Sequence, residues 1–206
     1  MRTNTKSKLS DPIVYEGDSI KDIFDNGMNH FYHTFLKKEI KPKYKGKDIF
    51  FDMDKMYKRM YSMPYPLSFL HITSLDEEDK YSLYPCTNDI SMEMCINHCD
   101  LDAAMLTYGT YGRWECIYRL SRIHWIPEVI ELANQDDKDI TVFSEEKTDG
   151  RKKYNMINIR YCSGMDDYLI VLKERKQEGD YLFVTAMPVV TKAKKRRLEK
   201  SNSSKK

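Results

Sequence analysis

The stretch DITVFSEEKTDGRKKYNMINIRYCSGMDDYLIVLKERKQEGDYLFVTAMPVV, residues 139–190, decides the fold, because it reads as consecutive β-strands. The runs are Asp139–Lys147, Lys152–Tyr161, Asp167–Gln177 and Asp180–Val190, each rich in β-branched and aromatic residues. The breaks Thr148-Asp149-Gly150, Cys162-Ser163-Gly164 and Gln177-Glu178-Gly179 set glycine beside polar turn formers. Links this short join antiparallel neighbours, since a parallel pair needs a crossover of about a dozen residues. The expectation is a four-stranded antiparallel meander whose strands neighbour one another in chain order.

Upstream the pattern changes to helical spacing. Ile20, Phe24, Met28, Phe31 and Phe35 recur at three- and four-residue steps, which predicts an amphipathic helix from Asp18 to Glu39. Further helices are expected over Met53–Met63, Ser91–Leu106 and Arg113–Ile123, and one opened by Pro127 and running to Asn134. Leu67–Ser74 reads as a short strand or buried segment, and Asp76–Lys80 as an acidic loop. The apolar faces of the helices need a partner, and the sheet offers one. The expected class is therefore α+β, with N-terminal helices packed on a C-terminal four-stranded antiparallel β-meander. The organisation expected is a disordered N-terminus over 1–12, a helical region of unassigned role over 13–110, a core over 111–190, and a basic disordered tail over 191–206.

The chain has 206 residues and a net charge of +2, with 32% charged and 41% hydrophobic residues, values of an ordinary globular protein. The charge is unevenly placed. Residues 191–206 hold eight Lys and Arg against one Glu, a net of +7, which leaves −5 for the rest. No apolar run approaches the roughly 18 residues that span a bilayer. Met1–Ser10 is polar and lacks the apolar core of a signal peptide. A cytoplasmic protein with no membrane partner is expected, its five cysteines held as reduced thiols or metal ligands. Walker, Rossmann, kinase and serine-elbow patterns are absent.

Several residues carry candidate chemistry. With strict alternation along each strand, one register gathers Arg160, Lys173, Arg175, Thr185 and Tyr181 on one face, cationic and hydroxyl donors suited to a phosphodiester. The same pattern is also that of the solvated side of a half-buried sheet. His124 ends the segment Arg119-Leu120-Ser121-Arg122-Ile123-His124-Trp125, with Arg119 and Arg122 three residues apart on a helix face. A helix C-terminus favours the imidazolium, the form a general acid needs, although a histidine there can equally be a cap beside a core tryptophan. Cys86, Cys95, His98 and Cys99 form a weak zinc candidate, since their spacing is not that of a common finger. His30, His33 and His71 read as packing or surface residues, with His71 held as a second candidate histidine. The run Lys194-Lys195-Arg196-Arg197 suits phosphate binding, or serves only to solubilise.

The strands Tyr168–Arg175 and Tyr181–Val189 resemble the end of nuclease domains of the barnase, EndoU, colicin and RelE-like (BECR) superfold, which phages and other mobile elements carry. The segment Arg119-x-x-Arg122-Ile123-His124-Trp125 is similar to an upstream helical motif there. The resemblance spans about Arg113 to Val190. It implies a metal-independent endoribonuclease of toxin or phage-defence type, cleaving RNA by attack of the 2′-hydroxyl and needing no cofactor. It makes 111–190 the nuclease core and places His124, Lys173, Arg175 and Thr185 in or near the active site. Substrate contacts are expected from Arg119, Arg122, Arg160, Tyr181, Lys194, Lys195, Arg196 and Arg197, with RNA and a cognate inhibitor protein as partners. Only His124 is available as a histidine after residue 98, where active members often show a second histidine or a lysine pair. The alternative is a non-catalytic accessory factor that binds nucleic acid or protein, with or without a structural zinc.

Overall fold

The computed structural model describes residues 7–37, 41–52, 56–57, 65–76, 105–108, 111–150, 152–164, 166–190 and 192–203. In chain order the elements begin with α1 (Ile20–Phe31), β1 (Lys43–Tyr44), β2 (Lys47–Phe50), β3 (Met56–Tyr57), β4 (Tyr65–Pro66) and α2 (Leu67–Thr73). They continue with β5 (Ser74–Asp76), β6 (Met105–Tyr108), β7 (Tyr111–Glu115), α3 (Ile117–Leu120) and α4 (Trp125–Asn134). The last are β8 (Ile140–Asp149), β9 (Lys152–Ser163), β10 (Asp166–Arg175), β11 (Asp180–Pro188) and α5 (Lys192–Ser203). Two compact units result, one of Met1–Ser10, Lys41–Phe51 and Trp125–Lys206, the other of Asp11–Ile40 and Asp52–His124.

The first unit is built on a six-stranded sheet of order β1-β2-β11-β10-β9-β8. Strands β8 to β11 pair antiparallel in chain order. They are not the whole sheet, however. Strand β2 pairs parallel with β11, Ile49 opposite Tyr181 and Phe50 opposite Leu182. The sheet is therefore mixed, and the expected α+β fold with a four-stranded antiparallel meander is corrected on this point. The physical reason lies in β11, an apolar strand that would otherwise expose a long unpaired edge. The covering hairpin turns through Lys45 (φ 48°) and Gly46 (φ 76°), two consecutive left-handed residues of the kind that match the twist of paired strands.

One face of this sheet is the main core. Ile159, Tyr161, Tyr168, Ile170, Leu172 and Ala186 are buried there, with Trp125, Ile126, Val129 and Ile130 of α4. Trp125 meets Tyr168 edge-on at 5.6 Å, Tyr44 lies 5.5 Å from Tyr181, and Phe51 stacks on Phe183 at 4.6 Å. Residues 7–10, expected to be disordered, are tied to this unit. The Lys8 amide donates to the Tyr161 hydroxyl at 2.9 Å, Lys8 Nζ lies 2.7 and 2.8 Å from Asp137 and Asp139, and Trp125 Nε1 donates to the Ser10 carbonyl.

Within the expected basic tail, residues 192–203 form helix α5. Helix α5 crosses the opposite face and buries Leu198 with Phe143, Leu169 and Val189. Its inner side also brings Lys195 Nζ to 3.7 Å from Asp167.

The second unit contains α1, capped by Ser19, whose hydroxyl accepts from the Asp22 amide and donates to the Asp22 carboxylate at 2.7 Å. A single π-helical turn, Tyr32–Leu36, extends it. Its stripe of Phe24, Met28, Phe31 and Phe35 is buried, and Phe31 packs on Phe69 of α2. Gly27 lets this helix approach α3: a Cβ there would lie 2.5 Å from Leu120 Cδ1.

This region is not purely helical. Strands β5, β7 and β6 form a three-stranded antiparallel sheet, and β3 pairs with β4. Strand structure thus replaces the helices expected at 56–57, 105–106 and 113–115, while 67–73 is helical. Helical apolar spacing in β7 yields to backbone pairing because β5 and β6 flank it on both sides. Most of the expected helix 91–106 and most of the acidic loop 76–80 lie outside the described residues. Among the described residues no helix is long and apolar enough to cross a membrane.

Candidate functional site

The outer face of the six-stranded sheet, under α5, gathers part of the expected site. Reading across β9, β10 and β11, Arg160 lies opposite Leu169 and Met187, Asn158 opposite Val171 and Thr185, and Met156 opposite Lys173 and Leu182. Directly opposed residues share a face. The β10–β11 register slips between Val171 and Leu172, where β11 advances two residues, Thr185 to Phe183. This bulge breaks the strict alternation on which Tyr181 and Thr185 were grouped. Thr185 faces outward with Asn158, whereas Tyr181 turns to the core side against Tyr44, where burial raises its phenol above the ordinary value.

The cations of this face are spoken for and spread out. Arg160 and Asp167 are both buried and joined by two hydrogen bonds, Nε to Oδ1 at 2.8 Å and Nη2 to Oδ2 at 2.6 Å. Arg175 donates from Nε to Asp180 at 2.7 Å and covers the Phe50 ring at 4.5 Å. Lys173 Nζ sits 4.0 Å from the centre of the Tyr154 ring. Arg160 and Lys173 are four residues apart along the ladder, or about 13 Å. A single phosphate cannot engage both. In α5, Lys194 contacts Met187 and Lys195 faces Asp167, while Arg196 and Arg197 are exposed.

Two polar groups on this face have no hydrogen-bond partner among the described residues: Asn158 Nδ2 and Thr185 Oγ1. Asn158 is 6% and Thr185 7% exposed, so water reaches them poorly. A buried donor or acceptor left without a partner costs about 1–3 kcal/mol.

His124 belongs to the second unit, whereas Lys173, Arg175 and Thr185 belong to the first. Its ring is buried, with Nε2 3.1 Å from the Asp11 carbonyl oxygen. It meets the His30 ring edge to face at 6.5 Å, and His30 in turn meets Tyr15 at 5.8 Å. Burial holds the His30 imidazole below its ordinary value, with His33 adding to the effect, and burial pushes the Tyr15 phenol up. His30 Nε2 and the Tyr15 hydroxyl are buried without a partner among the described residues.

The two arginines of the upstream motif are used within the fold. Arg119 Nη1 donates to the Ser74 carbonyl at 2.7 Å, and Arg122 Nη1 to the Tyr118 carbonyl at 3.0 Å, with Arg122 stacked 3.7 Å from the Tyr118 ring centre.

Cys86, Cys95, His98 and Cys99 lie outside the described residues. Among the described residues no group of three or more His, Cys, Asp or Glu is placed to hold a metal. Sequence reading gave Asn158 no role and read His30 as a packing or surface residue. The signal for Asn158 was a lone amide between Ile157 and Ile159 in an apolar strand; His30 showed only its place beside the apolar stripe of α1. No family model matches the chain, and neither a curated protein nor a solved structure matches it.

Proposed function

We propose that this chain binds RNA through phosphate contacts made by its C-terminal helix. One observation carries the reading: Leu198 fixes α5 to the sheet while Arg196 and Arg197 of the same helix remain exposed. A docked helix presents guanidinium groups in a fixed array, so less chain entropy is lost on binding than from a loose tail. Arginine suits phosphate through its planar pair of donors. RNA rather than DNA follows from the resemblance to ribonuclease domains.

The test is the affinity for a single-stranded RNA as a function of salt. Neutralising both arginines in Arg196→Ala/Arg197→Ala should flatten the slope of log K against log salt by about 1.4. An unchanged slope overturns the reading. The same titration with single-stranded DNA gauges the role of the 2′-hydroxyl.

A second reading, metal-independent RNA cleavage through the 2′-hydroxyl, is favoured by the contact of His30 with His124. Transesterification needs a base and an acid, and His30, held toward its neutral form, suits the base. His124 would serve as the acid. Binding ranks first because His124 is buried and its Nε2 is engaged by Asp11. Cleavage would show as RNA fragments ending in 2′,3′-cyclic phosphate in excess chelator, lost in His124→Ala and in His30→Ala. Full activity in His124→Ala, or activity lost on adding chelator, removes this reading. A cognate inhibitor protein is a partner of the cleaving form only.

A further inference from the structure

We infer that Asn158 and Thr185 form a binding site for an uncharged nucleobase on the outer face of the sheet, roofed by the C-terminal helix. The two side chains stand on β9 and β11, one on each side of Val171, in a single line of the register. Each is more than nine-tenths buried, and each has a polar atom without a partner among the described residues. Two strand spacings separate their backbones, about 9.6 Å, with Val171 between them on the same face.

The surroundings define the ligand. Phe143 lies opposite Asn158 on β8, and Leu169, Val171 and Met187 pack with it under Leu198. These walls are apolar and suit the faces of a planar ring. Arg160 and Asp167 are paired with each other, while Lys195 faces Asp167 and Lys194 contacts Met187 from α5. A neutral ring with hydrogen-bonding atoms along one edge satisfies both orphaned groups: Asn158 Nδ2 donates to a carbonyl or ring nitrogen, and the Thr185 hydroxyl donates or accepts beside it. The bulge opposite Val171 matters here, because without it Thr185 would keep the alternation of Phe183 and face the main core. The choice of a nucleobase among planar amides rests on the RNA-binding reading; the site itself does not involve the outer arginines of α5.

The experiment titrates the full chain with adenosine, guanosine, cytidine and uridine in turn, followed by saturation-transfer NMR and calorimetry. At least one nucleoside should bind. Thr185→Val, which keeps shape and removes the hydroxyl, should weaken it about tenfold. Thr185→Ser should restore binding, which separates loss of the hydroxyl from loss of fold. Arg196→Ala/Arg197→Ala should leave nucleoside affinity unchanged while lowering RNA affinity. No nucleoside binding to the wild-type chain, equal binding by Thr185→Val, or a buried water bridging the two side chains with no nucleoside affinity overturns the inference. Nucleoside binding without salt-dependent RNA binding removes the helix reading and leaves this site standing. The reverse result removes this site alone.

Discussion

His30 and His124 meet edge to face with ring centroids 6.5 Å apart, joining the first helix to the turn that follows α3. Tyr15 also packs on His30 and His33 acts on it electrostatically, and burial is the main cause of its lowered value. The sign of the consequence follows. A histidine lowered in the fold binds its proton more readily when unfolded, so its contribution is complete above the ordinary value of about 6.5 and is lost as pH falls through the folded value. The melting temperature should therefore drop on going from neutral pH into the mildly acidic range. His30→Gln should flatten part of that drop in a series of thermal melts.

Gly27 and Leu120 are matched in size. Gly27→Ala places a Cβ 2.5 Å from Leu120 Cδ1. Overpacking costs about 1–3 kcal/mol, and the gain in helix propensity, about 0.5–1 kcal/mol, does not offset it. Urea denaturation should show a net loss. Leu120→Ala combined with Gly27→Ala should cost less than the two single changes added together, because the methyl then enters the space vacated.

The two arginine pairs of the sheet differ in burial and should differ in cost. Arg160→Ala leaves Asp167 buried with, among the described residues, only the distant Lys195 at 3.7 Å, and about 3–5 kcal/mol is expected. Arg175→Ala leaves an Asp180 whose side chain is 21% exposed, against 4% for Asp167, free to hydrate, and should cost about 1 kcal/mol or less. Denaturant midpoints for both variants check the contrast.

Thr185→Val removes a buried hydroxyl without a partner among the described residues and keeps its shape. A gain of about 1 kcal/mol is expected, or roughly 2–4 °C in melting temperature for a chain of this length. Higher stability together with weaker nucleoside binding would mark the hydroxyl as kept for binding. Calorimetric melts of the ligand-free variant measure the first half of this expectation.

What the sequence by itself determined was local. Strand positions and antiparallel succession in 139–190 follow from β-rich runs separated by turns too short for any other connection. The buried stripe of α1 follows from spacing, and the helix around Pro127 from its start signal. Tertiary structure decided the rest. Lys47–Phe50 is a four-residue segment whose only buried residue is Ile49, too short a pattern to announce a strand; it becomes one because the β11 edge accepts it in parallel. Residues 192–203 carry one buried leucine in a run of charge, and they are ordered only because Phe143, Leu169 and Val189 form a surface for it. The face on which Thr185 stands depends on a slip between two strands, which period-two counting within one strand cannot contain. The neighbours of His124 are set by how the segment through Tyr15 and the first helix pack around it. Backbone turns are short-range and legible in composition, whereas register, edge capping and side-chain convergence are properties of surfaces that exist only once the chain has folded.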